Sequence, residues 1–81
     1  MLTEYINAAM EQAEYKLLED GTYFGEIPPC PGVWGNASTL KACMTELQEV
    51  LEEWILLGLK QGQALPEING INLNIRQQEV A

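Results

Sequence analysis

The run Leu18-Glu19-Asp20-Gly21-Thr22-Tyr23-Phe24-Gly25-Glu26-Ile27-Pro28-Pro29-Cys30-Pro31-Gly32-Val33-Trp34 decides the fold. Its first half reads as a hairpin turn. With Glu19-Asp20-Gly21 as the loop, Gly21 takes the left-handed third position of a three-residue turn, where a missing Cβ removes the steric cost. Leu17 then faces Tyr23, Tyr15 faces Gly25 and Ala13 approaches Ile27, all on one face. A two-residue Asp20-Gly21 loop would pair Leu18 with Tyr23 and Lys16 with Gly25, splitting the apolar set. One register step swaps faces, so the three-residue loop is preferred. The outer face carries Glu14, Lys16, Phe24 and Glu26. The second half, Ile27 to Gly32, is too rich in proline for helix or central strand and forms a stiff corner. Pro31 fixes φ and Gly32 accepts a positive φ, aiming Trp34 back toward the sheet. Val33-Trp34-Gly35-Asn36 returns as a short strand.

Helices flank this meander. Leu2, Tyr5, Ile6, Ala9, Met10 and Ala13 recur at helical spacing, with Glu4, Asn7, Glu11 and Gln12 opposite, predicting a helix over residues 1–13 with Thr3 as its N-cap. A longer helix opens at Thr39 (or Ser38). Leu40, Cys43, Met44, Leu47, Val50, Leu51, Trp54, Ile55 and Gly58 form its stripe. Lys60 in the last turn and Gly62 beyond it mark the end. Ile71, Leu73 and Ile75 alternate with Asn72, Asn74 and Arg76 as a final strand, and Gln77 to Ala81 reads as a frayed tail. The expectation is one α+β domain over residues 1–81 in the order α-β-β-β-α-β. It comprises an antiparallel β-meander plus a last strand, packed by one long helix and a short N-terminal one.

The inventory of reactive groups is short. The 81 residues include no His, one Asp (Asp20), one Ser (Ser38), one Arg (Arg76) and two Cys (Cys30, Cys43). Histidine triads, histidine zinc sites and four-cysteine zinc sites are therefore excluded. No catalytic residue, cofactor or metal is expected. A chain of this length buries about 60–65% of its unfolded surface, leaving little room for a deep cleft. The net charge is −8, and the cations Lys16, Lys41, Lys60 and Arg76 are scattered singly. Nucleic-acid binding rests on clustered Lys and Arg that displace counterions from phosphates, so direct binding of nucleic acid is not expected. An anionic surface suits a basic protein partner, or serves solubility alone. Two cysteines make no disulfide framework, and Cys43 on the apolar stripe reads as a buried thiol. Met1 to Gln12 lacks the basic and apolar regions of a signal peptide. The longest apolar run, Trp54 to Leu59, is too short to cross a bilayer. The protein is expected in the cytoplasm, away from membranes.

Asp20-Gly21-Thr22-Tyr23, then Glu26-Ile27-Pro28-Pro29-Cys30-Pro31-Gly32-Val33-Trp34, then Thr39-Leu40 opening a helix, resembles the HicB-like family, which includes the antitoxins of bacterial HicA–HicB pairs. The resemblance runs from about Tyr15 to Ile75. Its specific part is the Pro-x-x-Pro-Gly corner seven residues before the cap, and its motif positions here are Gly21, Tyr23, Pro28, Pro31, Gly32 and Thr39. The resemblance implies a degenerate ribonuclease H-like fold without the carboxylates that hold two metal ions. The only acids on strands, Glu14 and Glu26, read as a solvated pair bridged by Lys16. Two positions depart from the family: Ala37 stands where Gly is common, and Ala42 where a Glu often completes a capping box. The C-terminal DNA-binding module of many HicB antitoxins has no counterpart here, so operator binding is not carried over. The N-terminal helix is extra relative to the commonest layout and marks a stand-alone subgroup.

These observations predict a non-catalytic HicB-like antitoxin that neutralises a small basic HicA-type ribonuclease toxin by contact. The alternative is an orphan self-assembling structural or ligand-binding module. Glu46, Glu49, Glu52 and Glu53, off the apolar stripe, read as a toxin-docking face or as an ordinary solvated one. Pro28-Pro29-Cys30-Pro31 reads as a corner rather than a polyproline ligand. Val50, Trp54, Leu56, Leu57 and Leu59 exceed what one sheet-covering stripe needs. They predict an exposed patch and a homodimer or dimer of dimers, unless the N-terminal helix and the Leu65-Pro66 loop close over them.

Overall fold

Backbone hydrogen bonds fix the hairpin in the expected register. The Leu18 N–H donates to the Thr22 carbonyl at 2.8 Å and the Gly21 N–H to the Leu18 carbonyl at 3.0 Å. Gly21 sits at φ 86°. The loop is therefore Glu19-Asp20-Gly21. Asp20 closes it: its carboxylate accepts the Thr22 hydroxyl at 2.6 Å and the Thr22 N–H at 3.0 Å. Those two donors hold the carboxyl below its ordinary pKa.

The computed structural model describes residues 1–73 as α1 (Leu2–Glu11), β1 (Glu14–Leu17), β2 (Tyr23–Glu26), β3 (Trp34–Ala37) and α2 (Leu40–Lys60). The strands form one antiparallel sheet in the order β1-β2-β3. Tyr15 lies opposite Gly25 and Leu17 opposite Tyr23, while Gly25 pairs with Gly35 across β2 and β3. The class is α+β. None of the helices is long and apolar enough to cross a membrane among the described residues.

Between β2 and β3 the corner is two turns in succession. The Cys30 N–H donates to the Ile27 carbonyl at 2.9 Å, and the Val33 N–H to the Cys30 carbonyl at 3.1 Å. The second turn has Pro31 at its first central position and Gly32, at φ 94°, at its second, the arrangement of a type II turn. This spacing turns Ile27, Cys30 and Val33 inward, and all three are buried. The corner is thus part of the core. Around it pack Tyr5, Ala8 and Ala9 of α1, Leu47, Leu51 and Ile55 of α2, and Leu65 and Ile68 of the following segment.

A pair of glycines lets α2 come down onto the sheet. A Cβ on Gly35 would lie 3.2 Å from the Leu47 backbone nitrogen, and one on Gly25 would meet the Tyr15 ring at 2.8 Å and Cys43 Sγ at 3.2 Å. Because α2 packs on β2 and β3, β1 is left at the open side. That is why Leu17, on the inward-facing parity, remains 62% exposed.

Both ends of α2 follow local chemistry. The Thr39 hydroxyl accepts the Ala42 N–H at 3.1 Å. At the other end the Gly62 N–H donates to Leu59 and the Gln63 N–H to Gly58, with Gly62 at φ 72°, which is a Schellman motif. Thr3, by contrast, is not a cap. The N-cap of α1 is Met1, two residues earlier, and the terminal ammonium pairs with Glu4 at 2.7 Å. The Met1 carbonyl accepts the Tyr5 N–H at 2.9 Å, which places Thr3 inside the first turn.

The described part of the expected last strand also differs. Ile68 and Ile71 exchange two backbone hydrogen bonds, 3.2 and 2.8 Å, around Asn69 (φ 51°) and Gly70 (φ 78°). Positive φ at both central residues is the signature of a type I′ turn, which Asn-Gly favours. The chain therefore doubles back at Ile71, which pairs with Ile68 and with none of β1 to β3. Residues 74–76 of that expected strand, and the expected tail at 77–81, lie outside the described residues.

Candidate functional site

The side chains that could meet a partner fall on two surfaces. The first is the outer face of the sheet. Because successive strand residues alternate, Glu14, Glu26 and Trp34 form one cross-strand row and Lys16, Phe24 and Asn36 the next. All but Phe24 are exposed, and α2 lies on the opposite face. Phe24 and Trp34 stack with ring centroids 6.0 Å apart and planes 25° apart. Trp34, at 55% exposure, therefore packs on the outside of the sheet rather than reaching its core. Continuing the hairpin register across the second turn would have found it, since Trp34 shares the parity of its partner Glu26. Glu14 and Glu26 stand side by side as expected. Lys16 does not bridge them, and neither carboxylate has a hydrogen-bond or ion-pair partner among the described residues.

Asn36, in the second row, is held from three sides. Its side-chain amide donates to Thr22 Oγ1 at 3.0 Å and to the Tyr23 carbonyl at 2.9 Å, and its N–H donates to Glu46 at 3.1 Å. Glu46 is thus tied to the edge of β3 that faces away from β2. Glu52 accepts from Gln48 at 3.1 Å. Of the four expected docking acids, only Glu49 and Glu53 stand exposed and unengaged among the described residues.

The second surface is the end of α2. Leu56 is 67% and Leu57 53% exposed, so α1 and the Leu65-Pro66 segment do not close over them. Successive helix residues point about 100° apart, which separates these two leucines. Leu56 and Leu59 join Leu2 and Ile6 of α1, with Ile55 and Glu52, around a groove of about 370 Å³. Val50, Trp54 and Leu57 lie outside it. The five residues expected to form one interface thus occupy two flanks.

Buried groups offer no reactive centre. The Tyr5 hydroxyl donates to the Pro66 carbonyl at 2.6 Å. Burial, with the nearby Cys30 thiol, pushes Tyr5 up to about 12. Burial pushes Cys30 up to about 11 and raises Cys43 as well, so both free thiols stay protonated and unreactive at neutral pH. Among the described residues there is no group of three or more side chains placed to hold a metal ion. The motif positions have structural duties: Gly21 and Gly32 turn the chain, Tyr23 offers its carbonyl to Asn36, Pro28 and Pro31 frame the corner, and Thr39 caps α2.

Comparison with known proteins places the whole architecture. The crystal structure of TTHA0281 from Thermus thermophilus is similar at 39% identity and a TM-score of 0.87, covering 94% of this chain and 95% of that one. None of the curated proteins matches this chain. A sequence profile described as UPF0150-like matches residues 4–66, from α1 through the α2 end to the Tyr5 anchor at Pro66, and the chain belongs to that UPF0150-like family.

Proposed function

We propose that this protein is a non-catalytic, HicB-like antitoxin of the cytoplasm that neutralises a small basic HicA-type ribonuclease by covering it. The observation that carries the reading is the Pro28-to-Gly32 corner seven residues ahead of the Thr39 cap, the pattern on which the HicB-like resemblance rests. Two further features support it. The surface is strongly acidic, with a net charge of −8, and the side chains include no His and a single Asp. Complementary charge raises the association rate and rejects wrong partners, which suits a protein that must capture a toxin before it reaches RNA. A degenerate ribonuclease H-like ancestry belongs to this same reading.

Self-association is the second part of the proposal, favoured by Leu56 standing exposed at the α1–α2 groove and Leu57 exposed on the opposite flank of α2. An apolar patch of that kind marks an interface, and a two-fold dimer or a dimer of dimers closes it. The orphan structural module shares this dimer and differs only in having no toxin. Co-expression separates them. If a small basic ribonuclease is encoded beside this gene, its expression should arrest growth and this chain should restore it. Continued arrest with both proteins present would favour the orphan module.

A further inference from the structure

Among the described residues nothing covers the outer face of the sheet, and its chemistry is specific. Two carboxylates face each other across β1 and β2, where like charges opposite one another are unfavourable unless a cation joins them. Lys16 stands on the same face and does not join them. Directly in line with Glu26 is Trp34, held flat against Phe24 and half open to solvent. A planar cation stacks on an exposed indole within about 6 Å, and a guanidinium also reaches carboxylates through a fixed fork of N–H donors. Phosphates would meet the two carboxylates and be repelled. The α2 acids are less suited: Glu46 and Glu52 are held within the chain, and Glu49 and Glu53 lie one helical turn apart, with no cross-strand partner.

We propose that the outer sheet face is the partner-docking surface, and that it receives an arginine of a basic protein. The guanidinium lies on Trp34 and bridges Glu26 and Glu14. This rests on the reading above that the chain acts by binding a basic protein, and it moves the docking site from α2 to the sheet.

The test uses the full ¹⁵N-labelled chain titrated with a triarginine peptide, with trilysine and triglutamate for comparison. The Trp34 indole N–H and the Glu14, Phe24 and Glu26 amides should shift with triarginine, while the Trp54 indole stays still. Triarginine should bind more tightly than trilysine. Trp34→Ala and the double change Glu14→Gln with Glu26→Gln should each weaken it by about tenfold or more. The double change leaves the apolar packing untouched, so its loss of binding cannot come from misfolding. Shifts centred on Glu49 and Glu53, equal binding by the variants, or no shift on the sheet would overturn the proposal. A basic ribonuclease that binds wild-type and Gln variants equally would overturn this surface and leave the antitoxin reading standing. Triarginine seated on the sheet, with no ribonuclease neutralised, would do the reverse.

Discussion

Gly32 and Gly35 lie three residues apart and resist substitution for opposite reasons. At Gly32 a Cβ would meet no atom within 4 Å, but φ is 94°. Gly32→Ala should cost about 1–2 kcal/mol through backbone strain alone, and Gly32→Asn less, since Asn tolerates positive φ. At Gly35 the strand geometry is ordinary and the obstacle is the Leu47 backbone, 3.2 Å from a new Cβ. Gly35→Ala should force α2 away from the sheet at about 1–3 kcal/mol. Urea midpoints check both; an unchanged midpoint for Gly32→Ala would mean the turn adapts. The left-handed role of Gly32 was legible from Pro31-Gly32, because turn chemistry is local. The role of Gly35 was not, since only the packed helix supplies the clash.

Buried acids make the core sensitive to alkali. Tyr5 rises from an ordinary 10.0 to about 12 and Cys30 from 9.0 to about 11. In both the folded state holds its proton more tightly than the unfolded chain. Their contribution is therefore complete below the unfolded values. It is lost as pH climbs from 9.0 through about 11 for Cys30, and from 10.0 through about 12 for Tyr5. Melting temperature should hold steady up to pH 9.0 and fall beyond it, and Cys30→Ala should make that fall shallower, Cys43 keeping its own share. A curve for Cys30→Ala parallel to wild type above that pH would contradict the assignment.

At the scale of elements, the register of β1 with β2 followed from parity and Gly21, and the limits of α2 from Thr39 and Gly62. Removing the cap with Thr39→Ala should lower stability by about 1 kcal/mol, read by the same urea midpoints, with Thr39→Ser close to wild type. Two element ends were misread for physical reasons. Met1 is the N-cap of α1, its carbonyl accepting the Tyr5 N–H, so Thr3 falls inside the first turn. Asn69-Gly70 is a type I′ turn that the alternation rule passes over, and it pairs Ile71 back with Ile68. On the outer face, Glu26→Gln should raise the melting temperature at low salt by relieving the Glu14 repulsion, and high salt should erase the gain.

Across the whole molecule, the apolar surplus of α2 was visible in the sequence as leucines beyond one stripe, but its division into two flanks was not. It required the position of α1, which places Leu2 and Ile6 beside Leu56 and Leu59 and leaves Leu57 on the other side. The Phe24–Trp34 stack was likewise hidden until the corner fixed where β3 enters the sheet. Self-association through the helical end predicts a sedimentation-equilibrium mass of twice the 9.0 kDa chain, returning to that of one chain in Leu56→Asn with Leu57→Asn. The claim that the protein works by covering a toxin is tested most directly with any small basic ribonuclease found encoded beside its gene, by titrating this chain into an RNA-cleavage assay of that enzyme. Cleavage should fall linearly and stop at a fixed molar ratio, with no cleavage by this chain alone at any metal concentration. Undiminished cleavage at excess, or RNA cut by this chain in the presence of divalent metal, would contradict it.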